Sequence, residues 1–241
     1  MRDSISTLLT STLRQEVHVK SFAPTARSRV RRRPKRGHYD RETVYAVLDA
    51  GFVCHVGYAI GGQPYVTPTC YWREGDAVYW HGSAASRMLR HLEKGAECCL
   101  TVTHVDALVL ARSGFNHSIN YRSAMLFGRA HKVENSADKL AKLEAFVERM
   151  FPGRWRGLRP VTKRELEATT VLGMPIGEAS AKIRSGPPHD DEEDYALPIW
   201  AGLVPVRQVA GAPADDGRLA AGSARPRNLL DLTHIGLGRS R

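Results

Sequence analysis

Short, closely spaced β-like runs predict a mainly β protein, an antiparallel barrel with helices at its periphery. Three features carry this. Strand patterns recur at 52–60, 64–73, 77–81, 97–104, 106–112 and 121–134, mostly too close together for a helix between neighbours. Gly61-Gly62 and the turn at Glu74-Gly75-Asp76 read as hairpin connections. The helical stretches at about 84–94, 136–150 and 162–169 interrupt the strands without a βαβ rhythm.

Each element has a local signal. Asp40 suits the N-cap of a helix reading DRETVYAVLDA, with Val44, Val47 and Leu48 on one face and Gly51 at its end. Ser83 is the expected cap of the 84–94 helix and Gly95 lies beyond it. Ser136 opens the next helix, which ends at Phe151-Pro152-Gly153. Thr162 and Glu165 have capping-box spacing. Two further strands are expected at 171–184 and 197–209, separated by Gly186-Pro187-Pro188 and the acidic run 190–194. The domain is expected over 37–210, after a loose basic arm at 1–36 and before a flexible tail at 211–241.

Composition narrows the function. With 42% hydrophobic and 25% charged residues the chain is ordinary for a globular protein. No run approaches the roughly 20 apolar residues of a membrane span, and the N-terminus has no secretory core, so a cytoplasmic protein is expected. The net charge is +10, but residues 1–36 hold ten basic and two acidic side chains, leaving +2 for the rest. Basicity therefore belongs to the arm, which lacks the aromatic interleaving of a single-strand binder, and a nucleic-acid partner is not expected. Deleting residues 1–30 should leave the fold intact. Cys54, Cys70, Cys98 and Cys99 show no metal spacing and read as buried thiols.

Three segments hold chemistry. In the first, a strand ends at Tyr79-Trp80-His81, Gly82 permits a turn, and Ser86-Arg87 sit in the first turn of a helix. A hydroxyl and a guanidinium beside free N–H groups suit a phosphate, though a capped helix with an exposed Arg explains the same residues. The second, 111–123, places Asn120, Tyr121 and Arg122 densely among polar neighbours between apolar strands, as a loop, an interface or a site would. In the third, Trp200-Ala201-Gly202 leaves room for a flat partner or closes the barrel.

Taken in order, Gln63–Thr69, Tyr79–Gly82, Ser86-Arg87, Asn120–Ser123, Phe127–Ala130, Phe151–Gly153, Thr169–Val171 and Trp200–Gly202 resemble one family. It is the pyridoxamine 5'-phosphate oxidase-like, FMN-binding split-barrel superfamily, and within it the nitroimidazole reductase (Nim) group. The resemblance implies a six-stranded antiparallel split β-barrel that forms a homodimer, with FMN in two clefts at the subunit interface. Thr67, Pro68 and Thr69 would line the isoalloxazine. His81 and Gly82 would lie beside it, His81 as proton donor. Ser86 and Arg87 would hold the phosphate, Asn120, Tyr121 and Arg122 would border the same cleft, reaching across from the partner chain, and Trp200 would also contact the cofactor. Met88 stands where the oxidases have a Lys, removing one phosphate cation. The expected activity is FMN-dependent reduction of a small molecule such as a nitroaromatic. The alternatives are a haem- or deazaflavin-binding split barrel, or a non-catalytic flavin-binding module whose basic arm contacts nucleic acid.

Overall fold

A computed structural model describes residues 20–226 and 232–239. In chain order its regular elements are β1 (Gly37–His38), α1 (Arg41–Asp49), β2 (Val53–Ile60), β3 (Gln63–Glu74), β4 (Ala77–Ser83), α2 (Arg87–Leu92), β5 (Glu97–Leu110), β6 (Ser118–Arg129) and β7 (His131–Lys132). Then follow α3 (Ser136–Met150), α4 (Lys163–Ala168), β8 (Thr169–Pro175), β9 (Glu178–Arg184), β10 (Gly202–Pro205), β11 (Val209–Ala210) and β12 (Gly238–Arg239). The sheet order is β1-β9-β6-β5-β2-β3-β4-β8-β7, with β10 added to β5, and the long ladders are all antiparallel. This is the expected split barrel: the sheet curls around one core but does not close.

Period-two burial builds that core. Cys98, Leu100 and Val102 of β5 alternate inward, as do Ala124 and Leu126 of β6 and Val78 and Trp80 of β4. Helix α1, capped by the Asp40 carboxylate at 2.7 Å from the Thr43 amide, adds Val44, Val47 and Leu48. Cys54 and Cys98 are buried, and burial pushes their thiols up to about 12 and about 11, as inert packing thiols require. Among the described residues no helix is long and apolar enough to cross a membrane.

Several boundaries differ from expectation for identifiable reasons. The strands expected at 97–104 and 106–112 are one strand, β5, with a register shift between Val105 and Ala107; the bulge reverses the inward parity and so looks like a break in sequence. The single strand expected at 171–184 is two, β8 and β9, which pair with β4 and β6 respectively. The 197–209 run contributes only β10 and the start of β11. Helix α2 begins at Arg87, capped by Ser86 and not by Ser83.

The two tails also differ where they are described. Residues 20–36 were expected in the loose arm, yet Phe22 is 4% exposed, with the Arg41 guanidinium 4.6 Å above its ring. The Phe22 amide donates to the Tyr39 carbonyl at 2.7 Å, and Arg27 reaches both Glu97 and Glu178. In the C-terminal tail Ile235 is buried, and the Gly238 amide donates to the Gln208 carbonyl at 2.8 Å. Residues 1–19, 227–231 and 240–241 of those two regions lie outside the described residues. Deleting residues 1–30 would therefore remove a core side chain. Phe22→Ala is expected to lower unfolding free energy by about 3 kcal/mol. Arg29→Ala, exposed on the same segment, should change it by less than about 0.5 kcal/mol. Urea titration of each variant against the parent measures both.

Candidate functional site

The barrel opens between β3 and β4. These strands pair from Tyr71–Trp80 to Glu74–Ala77, whereas Gln63–Cys70 of β3 pairs only with β2, and His81–Ser83 of β4 only with β8. One wall of the opening carries Tyr65, Thr67 and Thr69, half-buried, with Pro68 exposed. Tyr58 stacks on Tyr65 at 5.5 Å and shares a 3.2 Å hydrogen bond with the Thr67 hydroxyl. From the other side, the Arg87 guanidinium lies 4.4 Å above the Tyr65 ring. The structure thus brings Arg87 to the wall that holds Thr67. Among the described residues no carboxylate pairs with Arg87.

The remaining phosphate candidates divide. The Ser86 hydroxyl accepts from the Leu89 amide at 3.5 Å as the helix cap, which leaves its own O–H free to donate. Met88 is 6% exposed and belongs to the core. Its side chain does not line the opening, and a lysine there would bury its ammonium among apolar groups.

Asn120, Tyr121, Arg122 and Trp200 stand elsewhere. They lie on β6 and just before β10, and β5 and β2 intervene between β6 and β3. Three strand spacings amount to about 14 Å. Asn120 is 6% exposed; its amide donates to the Gly186 carbonyl at 3.0 Å and its oxygen accepts from Arg184. Arg122 forks onto Asp106 at 2.8 and 3.0 Å. Trp200 is 66% exposed, and its ring comes so near Gly202 that a Cβ there would approach within 2.8 Å. Within one chain these candidates are therefore set apart from the β3–β4 opening.

His81 faces a third place. It lies on the side of β4 that carries α3, its ring 4.6 Å from Phe146 and 6.0 Å from Trp72. It borders a cavity of about 540 Å³ walled by Leu143, Phe146, Val147, Trp155, Leu158 and Val161, with Arg159 and Glu165 also at its lining. Nδ1 of His81 is buried without a hydrogen-bond partner, and burial pushes the imidazole below its ordinary range. The neutral ring is therefore favoured. Buried Lys139 on α3 donates to the Leu166 and Thr169 carbonyls at 3.2 and 3.1 Å, tying the end of α4 to α3. Apart from Glu165, noted for its capping-box spacing, none of these helical residues was singled out in sequence. Leu143, Phe146 and Val147 have ordinary i, i+3, i+4 spacing, which does not distinguish a packing face from a cavity wall.

At the cavity the Glu165 carboxyl is held at about 2, first by the Arg159 guanidinium and then by the Thr162 amide and hydroxyl. Its folded value lies below the unfolded one. The contribution of these contacts is thus complete only above the unfolded value of about 4.3 and is lost as pH falls through the folded value of about 2. A carboxyl NMR titration should find Glu165 ionised throughout the range in which free glutamate protonates, and Arg159→Ala should return it toward about 4.3.

The sequence model described as pyridoxamine 5'-phosphate oxidase matches residues 40–183. Among solved structures, the flavocytochrome Anf3 from Azotobacter vinelandii is 48% identical, with a TM-score of 0.84 over 90% of this chain and 100% of that one. The FAD and heme binding protein from Mycobacterium smegmatis is 37% identical, with a TM-score of 0.78 over 82% and 97%. A putative 5-nitroimidazole antibiotic resistance protein from Bacteroides thetaiotaomicron shares the fold at 19% identity and a TM-score of 0.51, over 60% and 84%. No curated protein matches significantly. By the family match across most of its barrel and by these two similar structures, the chain belongs to the pyridoxamine 5'-phosphate oxidase family of split-barrel proteins.

Proposed function

We propose that this protein is a homodimeric flavin-dependent redox protein that also carries haem, as its two similar relatives do. The observation that carries the flavin reading is Arg87, an exposed cation without a carboxylate partner among the described residues, set over Tyr65 beside Thr67 where β3 and β4 part. The residues fit the group. Backbone of the Thr67–Thr69 segment is free on its β4 side to meet the polar edge of a flavin ring, and a guanidinium suits a phosphate. FMN and FAD both present such a phosphate, so Arg87 serves either. Flavin supplies reversible electron transfer; the chain binds it, orients it and shields it. The substrate class to assay first is a small reducible molecule such as a nitroaromatic.

The separation of Trp200 from the β3–β4 opening within one chain supports a dimer. A two-fold axis that sets the Trp200 region of one protomer against the β3–β4 opening of its partner completes two clefts at once. An apolar surface is available for it. Val204, Leu108 and Ile119 lie in register across β10, β5 and β6 and are 43%, 45% and 40% exposed, and Val66 on β3 is 68% exposed.

Arg87→Ala is expected to weaken FMN and FAD about ten- to a hundredfold while leaving riboflavin unchanged, because riboflavin lacks the phosphate. Equal losses for all three would place the phosphate elsewhere. Complementation tests the dimer. Arg87→Ala and Trp200→Ala chains, refolded together, should regain about a quarter of the flavin sites, since half the dimers are mixed and each mixed dimer holds one intact cleft. No recovery would mean that each cleft is built within one chain.

A further inference from the structure

We infer that the cavity between β4 and helices α3 and α4 is the haem seat, and that His81 would hold its iron. This rests on the reading that the chain carries haem. The match is chemical and spatial together. Haem needs a flat apolar slot, a side-chain donor to iron and a cation for its two carboxylates. The cavity holds about 540 Å³, within the range of cofactor sites, and Leu143, Phe146, Val147 and Trp155 make its walls apolar. His81 borders this volume with a buried ring nitrogen that has no partner, an arrangement that costs free energy unless something binds the ring. Arg159, bonded at present to Glu165, supplies the cation.

Three of the other described histidines are bonded to backbone carbonyls. A ring nitrogen of His104 meets the Val47 carbonyl at 2.9 Å, that of His234 the Arg149 carbonyl at 2.8 Å, and that of His117 the Ser113 carbonyl at 2.8 Å. Neither nitrogen of His81 has a hydrogen bond among the described residues. The flavin wall, meanwhile, is made by Tyr65, Thr67 and Arg87, none of which lines this cavity. The strand end therefore contributes to two different cofactors: His81 faces one, and the chain that continues through Ser86 to Arg87 faces the other.

Titration of the purified protein with hemin, followed by the Soret band and by quenching of tryptophan fluorescence, tests the assignment. The parent should bind one haem per chain and lose much of its emission, since Trp155 lines the cavity and Trp72 packs on His81. His81→Ala should weaken haem at least about tenfold, with free imidazole restoring the parent Soret position. Leu143→Trp, which fills the cavity and keeps the ligand, should also exclude haem. Flavin titration of both variants reports whether the barrel is intact, and if His81→Ala fails to fold, Leu143→Trp decides. Parent-like haem spectra and affinity in His81→Ala, or in Leu143→Trp, would overturn the seat while leaving haem binding itself in place. Absence of any Soret shift in the parent would instead remove the haem reading, and the seat with it.

Discussion

The pairing of Tyr71 with Trp80 is the constraint on which the arrangement depends. Both side chains are almost wholly buried in the barrel, and the Tyr71 hydroxyl donates to the Leu48 carbonyl of α1. Those contacts hold β3 and β4 together up to this pair. Beyond it, β3 follows β2 and β4 follows β8, so the two strands part with their backbones committed on opposite sides. An opening made this way has rigid walls, because each is a strand fully paired on its other edge. A ligand wedged between them meets free backbone groups without melting any ladder.

Outside the opening, several cations of this basic chain are paired with carboxylates. Arg27 spans Glu97 and Glu178, Arg112 holds Asp190, Arg122 holds Asp106, and Lys142 holds Glu74. Most of these pairs are partly exposed, and such pairs contribute little each. Their value is positional. Arg27 lays the N-terminal segment across the sheet, whereas the free energy of holding it there comes chiefly from burying Phe22 against Arg41 and Tyr45. Arg122 with Asp106 sits where β5 shifts register, fixing the bulge.

The barrel was legible because alternation is a property of each strand by itself. β2 and β4 follow period two closely, and Gly61-Gly62 marks the β2–β3 hairpin without help from the rest of the chain. The bulge at Val105–Ala107 was not legible, since an inserted residue and a strand break give the same local pattern. Nor was the choice between Ser83 and Ser86 as cap. Both are good caps, and the decision lies in tertiary packing: Ala84 is drawn to the Ala168 carbonyl at 2.8 Å, which delays the helix. Arg87 could be singled out from its own neighbourhood. The cavity at His81 could not, because its walls come from α3 and the 155–165 segment, more than sixty residues away, and Lys139, which ties those helices, reads in sequence as one more solvated lysine.

Gly82 connects the two sides of this strand end. A Cβ at that position would come within 3.1 Å of the Leu89 side chain, so its absence lets α2 lie close against β4. Close packing there is what brings Arg87, at the first turn of α2, over Tyr65. One residue earlier, His81 turns its ring to the opposite face and into the α3 cavity, as strand alternation requires of a neighbour. The same three residues, His81-Gly82-Ser83, thus set the separation between the two proposed cofactors by backbone geometry alone.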